Sequence, residues 1–176
     1  MKKILVVIDM QKDFVDGALG TKEAVSIVPA VVEKIESFDG DIIVTCDTHL
    51  ENYMETQEGK NLPVPHCIKG TEGWKLDEKV QAALDKKAYK VIEKPTFGAT
   101  ELPGYIKANY NPEETEIELI GLCTDICVVS NALLLKANFL ETKVSVDANC
   151  CAGVTPESHS AALTTMRMCQ VDVIGK

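Results

Sequence analysis

The chain has 176 residues, enough for one domain with a sizeable core and too few for two of ordinary size. Its net charge of −9 excludes nucleic acid as the main partner, because phosphate contacts need a basic face. No apolar run reaches the roughly 20 residues that span a bilayer, so no membrane partner is expected. The opening MKKILVVIDMQKDF begins like a signal peptide, but its apolar run breaks at Asp9 with no small-residue cleavage site behind it. A buried first strand is the better reading. The seven cysteines are Cys46, Cys67, Cys123, Cys127, Cys150, Cys151 and Cys169, and no two have C-x-x-C spacing. A disulfide framework is not expected, and the compartment is read as reducing and cytoplasmic.

Six β-branched runs are predicted as strands: Ile4–Ile8, Asp41–Cys46, Lys90–Glu93, Glu116–Ile120, Lys143–Val146 and Val171–Ile174. Helical patterns fall at Ala24–Phe38, Asp77–Lys86, Thr100–Asn109, Asp125–Leu140 and Pro156–Met168. This alternation predicts βαβ units. The expected architecture is a single doubly wound α/β domain over residues 1–176, with a six-stranded, mainly parallel sheet and helices on both faces. Most of the strands read as nearly continuous apolar runs, as strands buried on both faces do. Thr48 to Glu72 is the exception, being long, polar, rich in Gly and Pro and without clear periodicity. Such segments are usually functional or disordered.

Ligands of such sheets bind beyond the carboxyl ends of the strands, near the switch in strand order. Asp9 follows the first predicted strand, Asp47 the second, Lys94 the third and Gly121–Cys127 the fourth. In ELIGLCTDICVVSNALLLKANF, Thr124 is the predicted N-cap and Cys127 falls in the first helical turn. There the helix dipole and free N–H groups stabilise a thiolate and can hold an oxyanion. The competing reading makes Cys127 a small buried residue on the helix's inner face. Asp9 is a candidate general base, with a proton affinity that burial would raise. Lys94, halted by Pro95, is a candidate cation that favours carboxylate and thiolate. Taken singly, these two also read as a helix-cap aspartate and a solvated lysine. Asp13 is read as a local turn or cap, and Gly98 as a turn or a close backbone approach. His159, just inside the helix that Thr155 and Pro156 start, is read as structural.

Asp47 and His49 stand in C-D-T-H, and His66 follows in P-V-P-H-C. One carboxylate and two imidazoles suit Zn²⁺, Fe²⁺ or Mn²⁺. Glu58 or Glu55 is the candidate fourth ligand, with water in any remaining position. The alternative has Asp47 as a cap and His49 on the surface.

Six segments in order carry a resemblance: D-M-Q-K-D-F-V-D-G-A-L at Asp9–Leu19, C-D-T-H at Cys46–His49, P-H-C-I-K-G-T-E-G at Pro65–Gly73, E-K-P-T-F-G-A at Glu93–Ala99, G-L-C-T-D-I-C-V at Gly121–Val128 and V-D-A-N-C-C-A-G-V-T-P-E-S-H at Val146–His159. Together they resemble the isochorismatase-like cysteine hydrolases, above all the nicotinamidases. The resemblance implies a triad of Asp9, Lys94 and Cys127, a cis peptide before Cys123, and an oxyanion hole made by the amides of Cys123 and Cys127. It implies Asp47, His49 and His66 as ligands of a divalent metal, zinc ahead of iron or manganese, that holds the pyridine nitrogen. It implies a ring pocket lined by Phe14, Leu19 and Phe97, and a homo-oligomer. The expected reaction is hydrolysis of nicotinamide to nicotinate and ammonia through a thioester on Cys127, within pyridine nucleotide salvage. Two alternatives stay open: the same triad acting on another small amide or ureido compound, and a non-catalytic small-molecule or metal-binding protein on this fold. Asn61-Leu62-Pro63-Val64-Pro65 stands where many nicotinamidases have an aromatic, and Phe97 where an aromatic with a hydroxyl is common.

Overall fold

The apolar run of β1 (Lys2–Ile8) serves two cores at once, because successive strand residues point to opposite faces. The computed structural model describes residues Met1–Lys176. In it Ile4, Val6 and Ile8 pack with residues of α5 (Leu102–Asn109), α6 (Val129–Asn138) and α7 (Pro156–Met168). Leu5 and Val7 pack on the other face with residues of α2 (Lys22–Ser37) and α4 (Glu78–Leu84). All five strand residues are fully buried. At about 1.5–3 kcal/mol for each large aliphatic side chain so buried, β1 is a main source of stability.

The remaining strands are β2 (Asp41–Asp47), β3 (Tyr89–Lys94), β4 (Thr115–Leu122), β5 (Lys143–Ala152) and β6 (Asp172–Ile174). All six form one sheet in the order β3-β2-β1-β4-β5-β6. The expected doubly wound α/β architecture is present, and the sheet is parallel throughout rather than mainly so. Strand order reverses between β1 and β4, so the crevice for a ligand opens at their carboxyl ends. No helix is long and apolar enough to cross a membrane.

Where the structure departs from the predicted elements, polar side chains supply the reason. β5 runs on past Val146 to Ala152, because Asp147 pairs with Lys34 at 2.8 Å instead of ending the strand. Asp77 caps α4 from outside, accepting the N–H groups of Lys79 and Val80 at 2.9 and 3.2 Å. The polar stretch from Thr48 is ordered by a 3₁₀ turn at Tyr53–Glu55 and by α3 (Gln57–Asn61), which Thr56 caps through the Gly59 N–H at 3.0 Å. A bridge between His49 and Ile68 closes this excursion, and a short α1 (Lys12–Val15) was not anticipated. The helix expected from Asp125 opens instead as a π turn, Thr124–Val128, before α6. Cys123 takes the N-cap place expected for Thr124, whose hydroxyl sits 2.7 Å from His159 Nδ1.

Candidate active site

The site starts from a glycine. Gly121 has φ of +121°, and a Cβ added there would lie 2.1 Å from the Ile8 carbonyl oxygen. The end of β4 is thus pressed against the end of β1, which brings the cysteine-bearing turn beside Asp9. The Leu122–Cys123 peptide is cis, as the resemblance implies. In the π turn the N–H groups of Ile126 and Val128 both donate to the Cys123 carbonyl, at 3.1 and 3.0 Å. Cys127 is buried within this widened turn.

Asp9 ends β1 in the left-handed region, with φ of +49°, a conformation aspartate tolerates better than most side chains. Its Oδ1 accepts the Thr45 hydroxyl at 2.7 Å. Lys94 Nζ lies 2.7 Å from Asp9 Oδ2, 3.4 Å from Cys127 Sγ and 3.5 Å from Asp47 Oδ1, and donates to the Thr96 carbonyl at 3.0 Å. The Lys94 side chain is only 1% exposed, and an ammonium so placed requires opposite charge around it. Asp9 Oδ2 accepts no well-aligned hydrogen bond, so Lys94 holds it by charge and it keeps the capacity to take a proton. The three residues expected at separate strand ends therefore meet.

Burial pushes the Asp9 carboxyl up, against the pull of the Lys94 ammonium. Burial pulls Lys94 down, but the charges of Asp9, Cys127 and Asp47 outweigh it and raise the ammonium above its ordinary value. Burial, then the charge of Asp9, push the Cys127 thiol well up, opposed by Lys94. A thiol and a carboxyl, both of raised proton affinity, thus lie beside a fixed ammonium. Cys123, half-buried and without such a cation, is pushed up to about 12 by desolvation.

Beside this trio, Asp47, His49, Glu58 and His66 each turn one ligand atom inward, all within 4.8 Å of one another. His49 Nε2 is 3.0 Å from Asp47 Oδ2 and 3.5 Å from Glu58 Oε1, and His66 Nε2 is 3.5 and 3.6 Å from the same two oxygens. A tetrahedral ion with ligands at about 2.0–2.1 Å keeps its ligand atoms roughly 3.3 Å apart, so these residues fit a divalent metal. His66 Nδ1 donates to the Val64 carbonyl at 2.8 Å, which leaves Nε2 as the inward ligand atom. Burial would raise Asp47, but hydrogen bonds from His49 and His66 and the charge of Lys94 hold its carboxyl below the usual range. Glu58 joins the cluster; Glu55, the other fourth-ligand candidate, points to solvent because the 3₁₀ turn ends there.

A cavity of about 50 Å³ adjoins both groups, lined by Phe14, Leu19, Asp47, Glu58, Leu62, His66, Phe97, Cys123, Ile126 and Cys127. All three expected ring-pocket residues are present, while Leu62 and Ile126 were missed. A larger cavity of about 440 Å³ lies against β3 and α4 and contains none of the three triad candidates. Sequence reasoning also missed Gln11 and Tyr53. The Gln11 amide clasps Asp47 by its backbone, accepting its N–H and donating to its carbonyl, both at 2.8 Å. Tyr53 wedges edge-on against His49 and His66, with ring centres 4.8 and 5.0 Å away. A polar Thr45 inside the apolar run of β2 was the one signal that something polar faced it. Asp13 does cap locally, taking the Ala18 N–H at 3.3 Å, but it also pins the Cys67 N–H at 2.8 Å, beside His66. Gly98 is in a bend, and an added Cβ there would meet only ordinary contacts, the nearest at 3.5 Å, so no close approach requires it. His159 stays outside the cavity, bonded to Thr124.

The isochorismatase domain model matches residues 3–176. The chain is similar to a nicotinamidase/pyrazinamidase of Mycobacterium tuberculosis, 27% identical over 187 residues that cover 98% of each chain. Among solved structures it is similar to a nicotinamidase/pyrazinamidase of Bacillus subtilis, at a TM-score of 0.86 and 27% identity, covering 99% of this chain and 100% of that one. It is also similar to a pyrazinamidase of Pyrococcus horikoshii in complex with zinc, at a TM-score of 0.80 and 25% identity, covering 100% of both chains.

Proposed function

Because the chain belongs to the isochorismatase domain family, we propose that it is an amide hydrolase of the nicotinamidase kind, converting nicotinamide to nicotinate and ammonia. The observation that carries this reading is the buried contact of Lys94 with both Asp9 and Cys127, at 2.7 and 3.4 Å, beside a small cavity whose wall includes Cys127. A thiol alone is a poor nucleophile, and a carboxylate within reach supplies what it lacks.

Asp9 takes the proton of Cys127, and the thiolate forms beside the Lys94 ammonium. The sulfur attacks the amide carbon, and the N–H groups of Cys123 and Cys127 hold the oxygen that becomes negative. Asp9 returns the proton to the departing nitrogen, and ammonia leaves a thioester on Cys127. Water, deprotonated by Asp9, then cleaves the thioester and releases nicotinate. The raised proton affinity of Asp9 suits both directions of transfer.

Asp47, His49 and His66 would hold a divalent ion, zinc ahead of iron or manganese, with Glu58 beside them as the candidate fourth ligand. When bound, such an ion supplies a Lewis-acid anchor for a ring nitrogen. Phe14, Leu19 and Phe97 support a flat apolar ring beside it. Seven free thiols support a reducing, cytoplasmic setting, and the product fits pyridine nucleotide salvage.

Ammonia release from nicotinamide tests the reading, run with and without a chelator. Turnover that falls on chelation and returns with Zn²⁺ is expected. If the metal-loaded protein leaves nicotinamide intact but cleaves another small carboxamide or ureido compound, the substrate assignment fails and the triad survives.

A further inference from the structure

Asn131 lies four residues after Cys127 in α6 and is fully buried. A primary amide there needs partners for its donors and its acceptor, since each unmet group costs about 1–3 kcal/mol. It finds them on two different segments. Nδ2 donates to the Cys127 carbonyl at 2.8 Å and to the Phe97 carbonyl at 3.2 Å. Oδ1 accepts the Ala99 N–H at 2.8 Å. The flipped amide would set its oxygen against two carbonyls, so the network allows one orientation.

The segment it grips directly follows Lys94. Phe97 forms a wall of the cavity, and the Thr96 carbonyl takes the Lys94 ammonium at 3.0 Å. The other hydrogen bonds of this stretch are local. The Thr96 hydroxyl donates to the Gly98 carbonyl at 2.5 Å, and the Leu102 N–H to the Ala99 carbonyl at 3.0 Å. Asn131 is therefore the hydrogen-bonded tie between this bend and the turn that carries Cys127.

We propose that Asn131 is a positioning residue for the reaction, fixing the spacing between the Cys127 sulfur, the Lys94 ammonium and the Phe97 wall. It touches no reacting atom; it acts through the backbone of Cys127 on one side and of Phe97 and Ala99 on the other. The turnover part of this inference rests on the hydrolase reading, while the part concerning the thiol stands without it.

The test uses the full chain with Asn131→Leu, Asn131→Asp and Asn131→Thr, each checked for folding by its thermal transition. Two quantities are read: kcat and KM for nicotinamide, and the pH midpoint for alkylation of Cys127 by iodoacetamide, located by mass spectrometry. The Leu and Asp variants are expected to lose about a hundredfold in kcat, the scale of a misplacement of an ångström. The Leu variant's alkylation midpoint rises by about one pH unit, because Lys94 no longer sits as close to the sulfur; the Asp variant is read by kcat alone, since its own charge raises the midpoint. Threonine can bond the carbonyl four residues back but cannot reach the bend. The Thr variant therefore regains only the bond to the Cys127 carbonyl: its alkylation midpoint is expected between those of the wild type and the Leu variant, and its KM is expected to be raised because the Phe97 wall is untied.

Folded Leu and Asp variants with the wild-type kcat, the Leu variant also keeping the wild-type midpoint, overturn the proposal. So does a loss of activity that only tracks the unfolded fraction in all three variants, since that marks a purely structural amide. If the Leu variant does not fold, the Asp and Thr variants decide. If the wild type does not hydrolyse nicotinamide, the functional reading fails, and the alkylation midpoints alone decide the role of Asn131.

Discussion

Two lysines in this molecule each bridge two carboxylates, and only one of the two clusters looks built for chemistry. Lys34 on α2 reaches Glu118 of β4 at 2.6 Å and Asp147 of β5 at 2.8 Å, with side chains 11–24% exposed. Lys94 reaches Asp9 at 2.7 Å and Asp47 at 3.5 Å, with side chains no more than 5% exposed. Burial lowers Lys34, but the bonds it donates to Asp147 and Glu118 outweigh it and raise the ammonium, the same direction as at Lys94. A lysine between two acids is therefore no signature in itself. What sets the Lys94 cluster apart is a sulfur at 3.4 Å, an Asp9 oxygen left without a well-aligned hydrogen bond, two imidazoles and a cavity. One cluster staples a helix to two strands. The other holds charge where a reaction can use it.

The sharpest break between the clusters comes from Cys127→Ala. Nucleophile loss is expected to lower ammonia release by at least about a thousandfold, with thermal unfolding left near that of the wild type. Retained turnover in that variant would sink the covalent mechanism. Next come the two lysines themselves, compared by urea denaturation. Lys94→Met strands two buried carboxylates, at a cost of about 3–5 kcal/mol, and abolishes turnover. Lys34→Met leaves a half-buried Glu118 and a buried Asp147 without their cation, at a smaller cost of about 1–3 kcal/mol, and leaves turnover unchanged. Equal losses at both sites would erase the distinction drawn here.

His66→Ala probes the metal arm. It should lower bound metal well below one ion per chain by elemental analysis and cost about 10- to 100-fold in turnover, whereas the Lys34 cluster should bind no ion in either protein. The smallest effect concerns acidity. Asp9 must be deprotonated to act as base, and its carboxyl is raised by burial. Turnover should therefore fall as pH drops through this raised value, so the acid limb of kcat/KM lies above the ordinary carboxylate value of about 3.9. An acid limb at or below that ordinary value would remove Asp9 from the role of base.

Much of this was legible in the chain itself. Strand ends at Asp9, Asp47 and Lys94 follow from apolar runs that stop at a polar residue, Cys127 comes in the turn just after the fourth strand, and parallel β-strands put all such ends on one rim. Glu58 was the first choice over Glu55 in the sequence, but the reason it joins the cluster was not legible, because that depends on where Thr56 restarts the helix. Nor was the π turn at Thr124–Val128, where helical periodicity continues across the boundary and hides it. Gln11, Tyr53 and Asn131 escaped for a shared reason. A polar side chain that bonds to distant backbone, or an aromatic wedged against histidines, leaves no local pattern, since its partners lie far off in sequence or its spacing matches a solvated face.

The contact of Gly121 with Ile8, where an added carbon would stand 2.1 Å from a carbonyl oxygen, has a bearing on how such a protein can diversify. The separation of acid and sulfur is written into main chain, at a place with no side chain to vary. On the proposed reading, substrate range is left to the rim, where the exposed side chains of Leu62 and Phe97 line the cavity. A programme of directed evolution toward bulkier amides should therefore find its gains at those two positions and none at the glycine.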